Sequence, residues 1–426
     1  MSVTWMTVGA VTDTSVVTSV KVTGSGNVRV GRSTSADFSS PTWSSATATS
    51  NNHAKVSLTG LTPGTRYWWR VEDAGVVDAA VTGQFRTAPV AAGSPMSFTI
   101  GCVGDAGITP VVPGVGGAAP NRLSNHPIFD TIRIRALAED WQMLAHDGDW
   151  CYYDLGSGNH GLSATASLAQ YRGMFDDVML QPRQHELYRS VPTLMLPDDH
   201  EFGPNDSDSS SPGRNNFLAM YRERLPHYPL GAGSGNPIFH STQFGRVLII
   251  ASDTRADRVP GSTMLGATQL AWLEDQLATS TADALIWLMP TPWLGLGADT
   301  WAGFPTERST IAGWLTAGDW PRRMMMINAD AHCLAMSSVA GNPHGGFPVA
   351  LCASLDASPH TWTGQYDMGM WPGREQYATV RVDDAGGDIA LTTTLWRRNR
   401  AISWLTVNTG GATRIEAGPP ANVLAL

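Results

Sequence analysis

The chain has 426 residues, 42% hydrophobic and 15% charged, with a formal net charge of −9. That is longer than one ordinary core, and the composition is that of a packed globular protein, so two domains are expected and disorder is not. The acidic balance, without a Lys/Arg-rich block, offers no nucleic-acid-binding face, and no run of about 18 apolar residues offers a transmembrane segment.

Residues 1–90 are rich in Val, Thr and Ser and poor in helical periodicity. The opening MSVTWMTVGAVTDTS lacks a charged segment followed by an apolar one, so no export leader is read there. SVVTSVKVTG, GNVRVGRST, HAKVSLTGL and RYWWRVEDA carry β-branched or alternating residues between turn signals, the pattern of short antiparallel strands in a β-sandwich. LTGLTPGTRYWWRVEDAG resembles the late strands of a fibronectin type III module, which is Ig-like in architecture. TAPVAAGSPM (87–96) reads as a linker. The first domain is therefore placed at 1–90 and the second at 91–426.

From about residue 96, apolar runs alternate with helical stretches. MSFTIGCVGD is the first run, and IRIRALAEDWQMLAHDGD reads as a helix, spanning the 140s, that leads into the second. VPTLMLPDDHE and GRVLIIASDTR follow. GATQLAWLEDQLATS has helical periodicity, with Leu270, Leu273 and Leu277 on one face, ahead of ADALIWLMPTPW and PRRMMMINADAHC. YATVRVDD and DIALTTTLWRRNRAISWLTVNT read as closing strands. Such alternation predicts a layered α/β domain.

Polar side chains gather where the apolar runs end. Asp105 ends FTIGCVGD, Asp149 follows the second run, and Asp198, Asp199 and His200 end LMLP. Asp253 and Arg255 end VLIIASDTR, and Asp330 and His332 end MMMINADAH. Ligands of open α/β sheets bind beyond the carboxyl ends of the strands. Carboxylates brought together repel unless cations lie between them, and paired metals can clamp a phosphate and activate water. Arg255 would add a two-point fork for phosphate oxygens.

These blocks carry a resemblance. GDWCY (148–152), PDDHEFGPND (197–206), SDTR (252–255), QLAWLEDQL (269–277) and ADAHC (329–333) resemble, in order, motifs of the calcineurin-like metallophosphoesterases, specifically the alkaline phosphatase D family. GDxxY is shared with purple acid phosphatases. The resemblance implies a layered α-β-β-α metallophosphoesterase domain, joined to the N-terminal β-sandwich. It implies metal-dependent hydrolysis of phosphoric mono- or diesters, with Fe3+ and Ca2+ as the metals and Zn2+ or Mn2+ as alternatives at the second site. Carried over, Asp149 would bridge two metals, Tyr152 would bind iron, and Asp330 or His332 would complete that site. Asp199 would serve the second metal, and His200 and Asn205 would lie near substrate or calcium. The first strand leaves two ligands open, Cys102 or Asp105. Hydroxide generated on the metal would attack phosphorus in line, with Arg255 neutralising charge and His200 assisting the leaving group.

Plainer readings stand beside these. Asp105 could close a glycine turn, Asp149 could be a turn residue beside a core Tyr152, and Asp198 could cap a helix. Asn205-Asp206 could form an Asx turn, and Arg255 could pair with Asp253 or Asp257. His160, His185, His227, His344 and His360 have no motif. The four cysteines are too few for a disulfide framework, and Cys151 and Cys333 read as buried thiols. Rival functions are a binding or adhesion protein on a phosphatase scaffold, motivated by the fibronectin-like module, and a phosphotriesterase or lactonase on the same dimetal centre. The substrate would be a small phosphoric ester or a phospholipid. An extracellular or periplasmic location rests on the resemblance alone.

Overall fold

The computed structural model describes residues 3–107, 123–152, 166–360 and 365–410. Strands Val3–Gly9, Val16–Val22 and His53–Leu58 form one antiparallel sheet. Asn27–Ser33 and Arg66–Asp73 centre a second, flanked by short strands at 42–43, 47–48, 76–77 and 83–86. Alternation explains the packing: along Arg66–Asp73, Tyr67, Trp69 and Val71 are buried and the residues between them only partly so. Val28 and Val30 of the same sheet share an apolar cluster with Val20 and Val56 of the other. The four strands expected from sequence are present. Val3–Gly9 is a fifth, in a stretch read only for a leader.

Two larger sheets follow. The six-stranded sheet runs Thr193–Leu196, Met143–Asp147, Phe98–Val103, Gln376–Asp383, Ala390–Arg397, Arg400–Asn408. Its first three strands are mutually parallel. In the seven-stranded sheet, Val247–Ala251, Ala284–Leu288, Met324–Asn328 and Val349–Cys352 are the parallel centre. Ile100, Cys102 and Ala145 of one sheet share a buried cluster with Ile249, Ile286 and Ile327 of the other. Residues of opposite parity face helices. Val103 and Leu144 meet Ile128–Ala138 and Leu168–Met179, and Leu248 and Trp287 meet Gly266–Thr279 and Pro305–Ala317. The result is a layered α-β-β-α arrangement. Burial on both faces is why these strands read as continuous apolar runs rather than alternating ones. One boundary differs from expectation: the 128–138 helix ends well before the 140s, which Met143–Asp147 occupies as a strand.

The linker, 87–97, has no regular structure. The sandwich nevertheless docks tightly. Trp5 is fully buried among residues of the helical layer, its indole donates to Asp176 at 3.0 Å, and its ring meets Phe175 edge-on at 5.4 Å. Lys21 reaches the same Asp176 at 2.6 Å. No helix among the described residues is long and apolar enough to cross a membrane.

Candidate metal centre

The parallel strands deliver their polar ends to one place. Asp105, Asp149, Asp330 and His332 all adopt left-handed backbone, with φ of 58°, 51°, 63° and 50°. Non-glycine residues rarely sit there unless the surroundings hold them. Here buried carboxylates do the holding. Asp105 accepts the amides of Asp330 and His332 at 3.2 and 3.1 Å. Glu201 accepts those of Asp149, Cys151 and Asp198 at 3.1, 3.2 and 2.9 Å. Asp253 accepts Arg255 and Ala256 amides at 3.0 and 2.9 Å, and Gln269 brackets the Asp253 backbone from the 266–279 helix.

Among the described residues, three groups have ligand atoms close enough to share an ion: Asp105, Asp149 and His332; Asp149, Asp199 and His200; and Asp149, Asp198, Asp199 and Asp330. Asp149 belongs to all three. Among the described residues neither of its buried oxygens has a hydrogen-bond partner, nor has Asp198 Oδ2 or Asp199 Oδ1. Buried carboxylate oxygens without donors are costly unless cations meet them, so these residues fit metal ions. The acidities agree. Burial, then neighbouring carboxylates, push Asp149 and Asp330 well above the usual range, Asp105 to about 8 and, against the pull of Arg255, Asp198 to about 7. Asp199 goes down: burial opposes this, but the Arg255 and His200 charges and the Asp206 amide prevail.

His332 Nδ1 lies 2.8 Å from the Ser358 carbonyl, so Nδ1 carries the proton and Nε2 turns its lone pair inward. Burial lowers its pKa to about 4, leaving it neutral. The Tyr152 hydroxyl is 2.9 Å from that Nε2, and its ring lies 4.3 Å from that of His200. Burial, then the Asp149 and Asp105 charges, hold this phenol well above its ordinary pKa. Asp149, His200, Asn205, Asp299, Asp330, His332 and His360 line a cavity of about 640 Å³.

Two expectations change. Arg255 is fully buried and offers no free fork. Its Nε bonds Asp198 at 2.5 Å, and its two terminal nitrogens meet Asp299 at 2.9 and 3.1 Å. Its guanidinium is thus held by Asp198 and Asp299 rather than by the Asp253 or Asp257 side chains. Cys102 faces the core between the sheets, where burial and then Asp147 push its thiol well up, and it joins none of the three ligand groups. Of the two first-strand candidates, the structure brings Asp105 to the centre. Asn205 is exposed on the cavity wall. Cys151 and Cys333 are buried thiols. His160 lies outside the described residues. Sequence reading missed Glu201 and Asp299. Glu201 had a signal, the Asp-x-x-Glu spacing from Asp198 that marks a helix start. Asp299 had none.

A layered α/β domain with carboxylates, histidines and a tyrosine at its parallel strand ends is the architecture of metal-dependent phosphatases. Residues 125–416 match the family model described as PhoD-like phosphatase, and the chain belongs to that family. The solved structure of PhoD aligns over 97% of this chain and 93% of its own, with a TM-score of 0.75 and 14% identity. A purple acid phosphatase from yellow lupin (Lupinus luteus) seeds aligns over 96% of this chain and 74% of its own, with a TM-score of 0.67 and 13% identity. At such identities the likeness is one of fold. Purple acid phosphatase 13 of Arabidopsis thaliana is 26% identical over 253 residues, 56% of this chain and 42% of that protein. The match thus spans less than half the length of that relative.

Proposed function

We propose that this chain hydrolyses phosphoric esters using metal ions gathered around Asp149. The observation that carries this is the Asp149 carboxylate, common to all three ligand groups and buried, among the described residues, without a hydrogen-bond partner for either oxygen. Family membership supports a phosphoric ester as substrate. The donors support two different cations. Asp105, Asp149, Tyr152 and His332 combine carboxylates with a phenol and a neutral imidazole, which suits Fe3+. Asp149, Asp198, Asp199 and Asp330 offer oxygen alone, which suits a hard cation such as Ca2+, with Zn2+ or Mn2+ as alternatives. Bound there, the ions would supply Lewis acidity, polarising a phosphoryl oxygen and making water acidic enough to attack.

The chain's own residues do the rest. Buried Arg255 holds Asp198 in place, and Glu201 and Asp105 lock the loops that present the ligands. His200 and Asn205 face the cavity, where an imidazole can pass a proton to a departing alkoxide and an amide can donate to a phosphoryl oxygen. A cavity of about 640 Å³ suits a small ester. The test is turnover of p-nitrophenyl phosphate and bis-p-nitrophenyl phosphate before and after chelation, then after iron and calcium are restored. Loss on chelation and recovery on reloading is expected. Turnover that survives complete metal removal would sink the proposal.

A further inference from the structure

We infer that Asp299 sets which ester charge this site accepts, by withholding Arg255 from the substrate; the inference rests on the phosphoesterase reading above. The two Asp299 oxygens take the two terminal nitrogens of Arg255 at 2.9 and 3.1 Å. That is the two-point geometry in which a guanidinium grips a phosphate. Arg258, also buried, reaches the same carboxylate at 2.5 Å. Asp299 itself lines the cavity, its side chain 23% exposed, and the described lining residues include neither Lys nor Arg.

Its position is built, not incidental. Trp301 is fully buried, its ring 5.0 Å from that of Trp293. Thr300 Oγ1 accepts the Ala302 amide at 3.1 Å. A Cβ on Gly303 would stand 2.3 Å from the Ala298 carbonyl, so the chain closes tightly just past Asp299. A carboxylate thus faces the cavity while it holds both terminal nitrogens of Arg255 and one of Arg258. A monoester dianion entering the cavity meets this carboxylate beside those of Asp149, Asp206 and Asp330, and no Lys or Arg among the described lining residues. A diester, with a single charge, meets about half that repulsion. The site is therefore biased to diesters, and Asp299 adds to the bias by keeping the Arg255 fork from the substrate.

The test compares metal-loaded wild type, Asp299→Asn and Asp299→Glu on both p-nitrophenyl esters, with calorimetric binding of inorganic phosphate alongside. Asp299→Asn is expected to shift the kcat/KM ratio toward the monoester by roughly tenfold and to bind phosphate more tightly. Asp299→Glu keeps the wild-type ratio. An equal loss on both esters, an unchanged ratio, or a shifted ratio without tighter phosphate binding overturns the inference. If Asp299→Asn does not fold, Asp299→Ser makes the same change of charge. If the wild type turns over neither ester, the phosphoesterase reading fails by itself. Phosphate binding then still decides on Asp299, because affinity no tighter in the variant refutes it.

Discussion

Asp149 joins Asp198, Asp199 and Asp330 within the reach of one ion. Burial and that crowd oppose its charged form, and replacing it with Asn removes the cost of holding a carboxyl there. Without metal, Asp149→Asn is expected to melt a few degrees above the wild type, because that cost falls. With metal the order reverses, since only the wild type gains binding free energy. Scanning calorimetry with and without chelator reads both, and a metal-free variant that melts lower contradicts this argument. Arg255 is the converse case, a buried cation among carboxylates. Arg255→Met is expected to cost about 3–5 kcal/mol in equilibrium denaturation, through the uncompensated charges it leaves. Asp105, Asp149, Asp330 and His332 were legible in the sequence because each ends an apolar strand. The surroundings of Arg255 were not, because Asp299 lies 44 positions away on a different loop. Cys102 stayed ambiguous although strand parity bears on it: it shares a face with Ile100, which packs between the sheets.

At the scale of elements, the ligand loops are only as fixed as the groups that hold their amides. Three amides converge on Glu201. Glu201→Gln turns an NH2 toward at least one of those donors, at a cost of about 1–3 kcal/mol, and is expected to lose metal faster on dialysis while remaining folded. Metal content after dialysis is the readout, and wild-type retention would refute the bracing role. The sandwich offers a second test. Trp5 packs into the helical layer, so Trp5→Ala is expected to destabilise the protein by about 3–5 kcal/mol. Calorimetry should show one unfolding transition that moves as a whole; two, with only the first displaced, would mean that the sandwich is an independent module. Strand types here were legible from alternation and β-branching. The docking was not, because a buried Trp reads the same whether its neighbours come from its own sandwich or from a helix 170 residues on.

Over the whole molecule, two families of buried groups oppose each other as pH changes. Burial raises Asp105 and Glu201 to about 8 and Asp198 to about 7. These groups hold more protons folded than unfolded, so their stabilising contribution is complete below about pH 4 and is lost as pH rises to about 8. Burial lowers His146 and His240 to about 3 and His332 to about 4. These hold fewer protons folded, so stability falls as pH drops from about 6.5 to about 3. The two trends oppose each other between about pH 4 and 6.5, so the metal-free protein is expected to weaken most clearly above about pH 6.5, where the carboxylates alone titrate, and added cation to lift that alkaline side. Melting curves across pH with chelator or metal check this, and an alkaline limb indifferent to metal would count against the site. The most direct measurement is metal content and diester turnover, side by side, in the wild type and Asp149→Asn. Metal and turnover present in the wild type and both lost in a folded variant is the expected result. A folded Asp149→Asn that keeps its metal and its rate would contradict the centre described here.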